Sequence, residues 1–271
     1  MSDDLFTGDL SIAPGTTGNE PLTPFDFADF SKSPYLYNQR KSGMLGSYYP
    51  KSDVIGLASH VLAFDGREAY DKLYSVSDGP INPVTEKPYG TKTAKYKKWR
   101  EEYIATERLT PLTADQSHAV ESIAANLIIN PSVATLISGA TAKRYRTGHE
   151  FDGQEFELTY DVVGSGWWAD FRTTSELELF EERSEYYGYW REWALLNAAF
   201  IDQNGGQPQA FVIAAEKENG NRAAVFLLDQ HDLWEAQNEN LREIHRYKTC
   251  CQSGVWPSGF ENLRLMKRNK K

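Results

Sequence analysis

Three charged side chains lie close together in the middle of the chain and could bind a metal ion or a phosphate. Asp161 is followed by the glycine-rich segment Gly164-Ser165-Gly166, and Asp170 and Arg172 come four and six residues after Gly166. Carboxylate oxygens are the ligands that hard divalent cations prefer, and a guanidinium can bind phosphate through several hydrogen bonds. These residue types and their spacing therefore indicate a small metal site or an anion site.

The three residues belong to a predicted β-hairpin over Phe156–Thr174. In its second half, large and charged side chains alternate with a period of two, as expected of a strand. Glycine tolerates the positive φ angles that close a hairpin, which explains the composition of the segment between the two halves. Asp161 and Asp170 are expected to point to the same side of two neighbouring strands. This arrangement could hold a divalent cation.

Composition and charge limit the function classes. The 271 residues are 40% hydrophobic and 25% charged, which is typical of a globular domain. A net charge of −9 argues against a general nucleic-acid coat but allows an enzyme with a local basic patch. No apolar run has the length of a membrane span, and the first residues lack a signal-peptide pattern, so a cytoplasmic protein without a membrane partner is expected. Cys250 and Cys251 are adjacent, which suits neither a disulfide nor a zinc site.

The pattern along the chain predicts an α/β fold with a central mixed β-sheet flanked by helices. We expect a flexible or loosely docked arm over residues 1–30, a single domain over 31–262 and a basic tail over 263–271. The predicted elements, besides the hairpin, are a helix through VIGLASHVLAF, helices over Thr113–Ile129 and from Pro131 to Gly139, a long helix Ser175–Asp202, strands Gln209–Glu216 and Ala223–Asp229, and a helix His231–Cys251. Three local signals mark helix starts: Ser52 and Asp53 can cap the first helix, Thr113 and Gln116 have the spacing of a capping box, and Asn130-Pro131 begins the short helix.

Two further groups of residues could contribute to function. His60 lies on the inward face of its predicted helix, where it is either a metal ligand or a hydrogen-bonded core histidine. Arg40, Lys41 and Lys51 are interleaved with tyrosines. Cations pair with phosphates and aromatic rings stack on bases, so this segment suits nucleic-acid contact. A solvated surface loop is the alternative.

The order and spacing of several motifs resemble exodeoxyribonuclease VIII-like (RecE-type) phage and prophage exonucleases of the PD-(D/E)xK nuclease superfamily. GLASHVLAF is similar to the family's G-x-x-x-H helix, and DFRTT stands where the family has D-x-K-T-T. YYGYWREWALLNAAF resembles its tyrosine-rich helix. FVIAAEKE resembles its late strand, and CCQSGVWPSG resembles its Cys-x-x-x-Gly-x-Trp-Pro ending. The resemblance extends from about Ser31 to Phe260.

The resemblance implies a restriction-endonuclease-like core in which His60, Asp161 and Asp170 surround Mg²⁺ or Mn²⁺. It places Arg172 and Glu192 at the family's lysine and glutamine, and we include both among the candidate catalytic residues. Tyr189, in the tyrosine-rich helix, joins Arg40, Lys41 and Lys51 as a candidate DNA contact. Members of the family are 5′→3′ exonucleases on linear double-stranded DNA that form rings and often act with a single-strand annealing protein.

This sequence also departs from the family pattern. A lysine can release or share a proton, whereas the guanidinium of Arg172 stays charged at any accessible pH. Leu196 stands where the family has a tyrosine, and the sequence before the hairpin, ATAKRYR, lacks the expected acidic residue. Lys143 could place an ammonium near the site or face solvent. Nearby carboxylates that could replace the missing ligand, or lie on the surface, are Glu150, Glu155 and Glu157.

Three hypotheses follow. The first is an active metal-dependent DNA exonuclease. The second is a protein that keeps the nuclease fold with weakened or lost hydrolysis and binds DNA ends or serves as a recombination or assembly subunit. The third is an unrelated α/β protein whose hairpin mimics the motif. Convergence of the predicted residues in space separates the third hypothesis from the first two.

Overall fold

The described strands form two sheets. The computed structural model describes residues 20–45, 54–218 and 220–262 of the chain. Strands β1 (Tyr74–Val76) and β2 (Thr110–Leu112) form a small parallel sheet. The main sheet contains, in spatial order, β3 (Ala140–Phe151), β4 (Gln154–Gly164), β5 (Trp167–Thr174), β6 (Gln209–Glu216) and β7 (Ala223–Leu227). Strands β5 and β6 run parallel and the other neighbouring pairs run antiparallel, so the predicted mixed sheet is confirmed.

Helices cover both faces of this sheet, as predicted. They are α1 (Pro24–Lys32), α2 (Pro34–Lys41), α3 (Val54–His60), α4 (Arg67–Asp71), α5 (Ala94–Glu107), α6 (Ala114–Ile129), α7 (Pro131–Ser138), α8 (Phe180–Tyr187), α9 (Tyr189–Asn204) and α10 (Gln230–Ser253). A π-helical turn, Val61–Asp65, continues α3, and a 3₁₀ turn, Leu177–Leu179, precedes α8. No single described helix is long and apolar enough to cross a membrane; α6 and α7 pass that test only jointly and are bent by 80°.

The alternation along β5 places a hydrophobic core on each face of the sheet. Trp168 is fully buried on one face with Trp193 of α9 and Ile244 of α10. Ala169 packs on the opposite face with residues of α6 and α7, including Ile123. Full burial of each large apolar side chain contributes about 1.5–3 kcal/mol. The two cores therefore hold β5 rigidly between two helical layers and fix the directions of Asp170 and its neighbours.

The central hairpin forms as predicted, with a partner strand that the sequence did not indicate. β4 and β5 pair only from Val162–Ala169 to Gly164–Trp167. β3 pairs along almost the whole of β4 as an edge strand. Most of its side chains are exposed, among them Lys143, Arg144 and Arg146. Charges of this kind protect an edge from unwanted pairing and remove the apolar alternation by which a strand is recognised.

The predicted flexible arm is wrong for residues 20–30. Thr23 and Asp26 form a reciprocal capping box at the start of α1, and Phe27 and Phe30 of that helix are fully buried. Leu22 pairs with β4 through hydrogen bonds to Glu155 and Glu157. This segment is thus part of the domain, because its aromatic side chains complete the core. Residues 1–19 and the predicted tail lie outside the described residues.

The predicted long helix Ser175–Asp202 is also wrong. The chain forms the 3₁₀ turn, α8 and α9, and Gly188 separates the two helices with a φ of +75°. This left-handed conformation ends α8 and redirects the chain, which glycine permits at little steric cost. The other predicted helices are confirmed, including the capping box of Thr113 and Gln116 at α6. The predicted caps of α3, Ser52 and Asp53, lie outside the described residues.

Candidate active site

Asp161 lies where β4 and β5 separate. The backbone pairing between the two strands ends at Val162 and Ala169. Beyond this point the Asp161 carboxylate, in place of a backbone carbonyl, accepts a hydrogen bond from β5. Its Oδ2 accepts a hydrogen bond from the backbone N–H of Phe171 at 2.7 Å. On the neighbouring strand β3, Arg144 has a φ of +50°, a conformation that costs a non-glycine residue of order 1–3 kcal/mol. The left-handed conformation of Arg144 thus lies on the strand next to Asp161, at the point where β4 and β5 separate.

Asp170 lies on the adjacent strand and is almost fully buried. Its Oδ2 accepts hydrogen bonds from Arg172 Nε at 2.5 Å and from the indole Nε1 of Trp193 at 2.8 Å. Burial raises the pKa of Asp170 to about 7; the Asp161 and Glu192 carboxylates add to the shift, and Arg172 and Trp193 oppose it. Both hydrogen bonds fall on Oδ2, so Oδ1 is the oxygen that a cation could share with Asp161.

Arg172 connects Asp170 to α9. One of its terminal nitrogens lies 2.7 Å from Glu192 Oε2, and its guanidinium carbon lies 4.7 Å from the centroid of the Tyr189 ring. Burial disfavours its charged form, but the charges of Asp170 and Glu192 outweigh this and raise the pKa of Arg172 well above its ordinary value. Arg172 is therefore a permanent cation held between two carboxylates and an aromatic face.

His60 approaches Asp161 from the other face of the sheet. The side chain is buried, and its Nε2 lies 3.1 Å from Asp161 Oδ1 without the angle of a hydrogen bond. Phe64 and Phe171 pack against the imidazole ring. Burial alone would raise the pKa of Asp161, but His60 and the Phe171 amide lower it below its ordinary value, with a smaller contribution from Arg172. The inward direction predicted for His60 is confirmed.

His60 is the last residue of α3, directly before the π-helical turn. Such turns are rare and frequently occur at functional sites. The carbonyl oxygen of Phe64 in this turn accepts a hydrogen bond from Lys143 Nζ at 2.7 Å, and Asp65 pairs with Arg144. Lys143 therefore fastens the turn to β3 rather than facing solvent freely.

The donor atoms of His60 and Asp161 fit a divalent cation. Two ligands bound side by side to a six-coordinate ion at about 2.1 Å lie about 3 Å apart, which is the separation observed here. The buried His60 Nε2 also lacks a hydrogen-bond partner within the described part of the chain. Across the same residues, no three His, Cys, Asp or Glu side chains gather as a metal-binding group. Asp170 as the third ligand therefore stays a prediction.

The other candidate residues lie apart from this cluster. Arg40 and Lys41 are on α2 and pair with Asp29 and Asp26 of α1, so their charges are largely neutralised there. Lys51 lies outside the described residues. Their DNA contact stays a prediction.

The carboxylates considered as replacement ligands are distant from the site. Glu150, Glu155 and Glu157 are exposed and line a separate cavity of about 770 Å³ near the turn between β3 and β4. Glu157 precedes Asp161 by four residues, about 13 Å along an extended strand. Leu196 of α9 is buried in the core that lies between this helix and the sheet. None of these positions contributes a group to the cluster around Asp161.

Trp193 is the residue of the cluster that the sequence did not reveal. It lies next to Glu192 on α9 and could be recognised only as an apolar core residue. Its large side chain is fully buried, and a buried indole N–H requires an acceptor. That requirement is the signal that could have connected it to a buried carboxylate, which here is Asp170.

A cavity of about 700 Å³ opens beside Arg172 and Glu192. Its lining includes hydroxyl residues at the end of β5 and directly after it, and aromatic rings at the break between α8 and α9. The cationic and tyrosine side chains that line it are Lys32, Arg172, Arg183, Lys217, Tyr187 and Tyr189. The charged cluster is thus accessible from a space large enough for part of a polymeric substrate.

Comparison with known proteins supports this fold. Residues 27–269 match the family described as a PDDEXK-like domain of unknown function, DUF3799. A crystal structure from Eubacterium rectale, of a protein named as a candidate exonuclease, is similar with a TM-score of 0.64. The sequences are 13% identical, and the match covers 100% of this chain and 97% of that chain, which is a likeness of fold. No curated protein matches the sequence.

The family match covers most of the chain, including Asp161, Asp170 and Arg172. The predicted PD-(D/E)xK core is therefore confirmed, and the narrower RecE-type assignment stays a prediction. The chain belongs to the DUF3799 family of PDDEXK-like domains.

Proposed function

We propose that this protein is a metal-dependent nuclease that digests linear double-stranded DNA as a 5′→3′ exonuclease. The observation that carries the proposal is the convergence of Asp161, Asp170, Arg172 and His60 where β4 and β5 separate. Phosphodiester hydrolysis requires stabilisation of negative charge, and both a cation and a guanidinium supply it. The fold shared with a protein named as a candidate exonuclease supports the same class of reaction.

His60 and Asp161 would hold Mg²⁺ or Mn²⁺, with Asp170 as the third ligand. A cation bound there would activate water and stabilise the leaving oxygen. Carboxylates suit both ions, whereas an imidazole ligand favours the more nitrogen-tolerant Mn²⁺. The Phe171 amide fixes the Asp161 carboxylate, and Trp193 and Arg172 fix that of Asp170. These bonds orient both carboxylates before substrate arrives.

Arg172 would bind a phosphate oxygen of the DNA backbone. A guanidinium has five N–H donors, and two of its nitrogens are engaged by Asp170 and Glu192. Arg172 also lines the open cavity, so its remaining donors can face a ligand. Glu192 and the Tyr189 ring keep the guanidinium plane in place. In this role Arg172 positions phosphate and stabilises charge, and it transfers no proton.

A second candidate function is a nuclease-fold protein with weakened hydrolysis that binds DNA ends. The specific observation in its favour is the double ion pair of Arg172, which stands where the resemblance implies a lysine. A guanidinium held by two carboxylates cannot share a proton with an attacking water. Such a protein would serve as a recombination or assembly subunit.

The resemblance to RecE-type exonucleases also supplies the proposed setting. It comprises a cytoplasmic location, DNA recombination in a phage or prophage context, a ring-shaped homo-oligomer and a single-strand annealing protein as partner. The mass of the assembly in solution, measured by light scattering, tests the ring. A monomeric mass would remove this part of the proposal without affecting the proposed hydrolysis.

Digestion of linear duplex DNA tests the activity directly. Duplexes labelled at the 5′ or the 3′ end are incubated with Mg²⁺ or Mn²⁺, and a covalently closed circle serves as the substrate without ends. We expect early release of the 5′ label, and loss of digestion in Asp170→Asn, which keeps the shape and the acceptor oxygen. Glu157→Gln, an exposed change on β4, is the matched control. End binding without digestion by the native protein would favour the second function.

Native Arg172 and the Arg172→Lys variant distinguish a rewired site from a weakened one. A large gain of digestion in the lysine variant would show that the native site is weakened. An equal or lower rate would show that the arginine is part of a working site. The lysine variant keeps a cation between Asp170 and Glu192, so its folding is expected to be close to native.

A further inference from the structure

The cavity beside Arg172 has a basic lining that the proposed hydrolysis does not fully use. Among the described residues, two carboxylates line it, Asp29 and Glu192, and each is engaged in an ion pair, with Arg40 and Arg172 respectively. Lys32, Arg183 and Lys217 add three further cations. The lining therefore favours an anionic ligand.

Arg183 is the most informative of these cations. It is half-buried, and its NH1 atom donates to two neutral hydroxyl oxygens, Thr174 Oγ1 at 3.3 Å and Ser175 Oγ at 2.5 Å. No described carboxylate forms an ion pair with it. A partly buried cation without a paired carboxylate keeps its full positive charge, with which an arriving anion can pair. The remaining donors of its guanidinium suit two oxygens of one phosphate.

Planar groups form a stack from the charged cluster to the rim of this cavity. The Arg172 guanidinium lies over the Tyr189 ring, and the Tyr189 and Tyr187 centroids are 5.6 Å apart with planes inclined by 30°. Tyr187 is 47% exposed, so part of its ring is open to a further planar group. Bases stack on such rings with little dependence on sequence. The rim therefore provides a stacking surface in the same cavity as the Arg183 guanidinium.

We infer that this cavity binds one nucleotide of a single DNA strand, with its phosphate on Arg183 and its base on Tyr187. The uncapped N-terminus of α9, which begins after Gly188 at the cavity wall, adds partial positive charge. The inference rests on the proposed function in one respect, the identity of the ligand as nucleic acid. The phosphate is either a terminal monoester or an internal diester, since both have the oxygens that a guanidinium recognises.

Binding without hydrolysis tests the inference. The full chain is titrated, in a chelator and without divalent ions, into fluorescein-labelled oligothymidylates with and without a terminal phosphate at either end, followed by fluorescence anisotropy. Arg183→Gln is expected to weaken binding about 10- to 100-fold, since hydrogen bonds between charged groups are lost. Tyr187→Leu is expected to weaken it about 5- to 100-fold. Arg242→Gln, an exposed change on α10 outside the cavity, should stay within about twofold of native.

Competition identifies the source of the phosphate. Tighter binding of a phosphorylated end, with displacement by thymidine monophosphate but not by thymidine, supports the cavity as a terminal-phosphate site. Equal binding of both ends supports it as a site for an internal diester. Native affinity in both Arg183→Gln and Tyr187→Leu would overturn the inference. Because Tyr187 is exposed, its variant decides the question even where thermal unfolding shows that Arg183→Gln is poorly folded.

Failure of this inference and failure of the proposed function have different signatures. Variant-sensitive binding by a protein that digests no DNA leaves the nucleotide cavity standing and removes the hydrolysis. Digestion with unchanged KM in both variants removes the cavity and leaves the hydrolysis standing. The two measurements use the same protein preparations.

Discussion

The two carboxylates at the separation of β4 and β5 have opposite environments. Asp170 is buried and accepts hydrogen bonds from Arg172 and Trp193, and its pKa is raised by burial. Asp161 accepts one backbone hydrogen bond and faces His60, whose Nε2 has no described hydrogen-bond partner. One half of the site is thus satisfied by the protein itself. The other half retains donor atoms for a ligand.

This difference separates the side chains that stabilise the fold, Asp170 and Arg172, from those that are available to bind a metal ion, Asp161 and His60. A buried charge network holds strands and helices together when every member is paired, and its members are difficult to replace singly. A buried polar group without a hydrogen-bond partner contributes little to folding, and its donor atom is available for a ligand. The Arg172 half should therefore dominate stability, and the Asp161–His60 half should dominate metal binding.

Removal of the Arg172 charge is expected to have the largest effect on stability. Arg172→Met leaves Asp170 and Glu192 without their counter-charge, and breaking a buried pair in this way costs about 3–5 kcal/mol. Urea unfolding of the metal-free protein measures the loss. Arg67→Met is the matched control, since its pair with Glu121 is exposed and worth about 0–1 kcal/mol. If the two variants lost the same free energy of unfolding, the Arg172 ion pairs would not dominate the stability of the site.

Asp161→Asn is expected to affect activity more than stability. The amide oxygen can still accept the Phe171 N–H, but the charge that faces His60 is lost. Even groups that only support a metal ligand change affinity or activity about 10- to 100-fold, so loss of a ligand should reduce digestion by about 100-fold or more. Steady-state digestion of linear duplex and urea unfolding give the two values. A variant that unfolds readily but digests DNA normally would reverse the assignment.

The pH dependence of stability should have opposite signs for the two carboxylates. The pKa of Asp170 is about 7 when folded and below 5 when unfolded, so the folded state binds more protons between these values. Its contribution to stability, on the order of 4 kcal/mol, is therefore lost as the pH rises from about 4 through about 7. The pKa of Asp161 is lowered in the folded state, so its contribution is lost as the pH falls through that value. The free energy of unfolding of the native, Asp170→Asn and Asp161→Asn proteins, measured from pH 4 to 8 without metal, gives both contributions. If it depended on pH in the same way in all three proteins, the prediction would be wrong.

Local sequence patterns predicted the elements that carry the site. The period of two around Asp170 identified β5, and the glycines before Trp167 identified the turn. The capping box at Thr113 and the Asn130–Pro131 start identified α6 and α7, because each is a contact between near neighbours in the chain. The spacing of apolar residues in its helix likewise predicted the inward direction of His60.

Other features depend on contacts between distant parts of the chain. β3 lacks an apolar alternation because it is an exposed edge, and its strand conformation depends on pairing with β4. The pairs Arg172–Glu192 and Asp170–Trp193 form only when α9 packs on β5. Phe27 and Phe30 lie in a segment rich in polar and helix-breaking residues, whose composition resembles that of a flexible arm. In contrast, the glycine at position 188 was a local signal for the break between α8 and α9.

The smallest effect on folding is expected at His60. His60→Phe keeps an aromatic ring between Phe64 and Phe171 and removes a buried nitrogen without a hydrogen bond, so the free energy of unfolding without metal should change by less than about 1.5 kcal/mol. Added metal ion should stabilise the native protein more than the His60→Phe variant. Mn²⁺ at about 100 times its dissociation constant stabilises a native state that binds it by about 2.7 kcal/mol. Native protein should show this increase in thermal unfolding and the variant should lose most of it, because one of two adjacent donors is missing. An equal increase in both would place the cation away from His60 and leave its imidazole as a core residue.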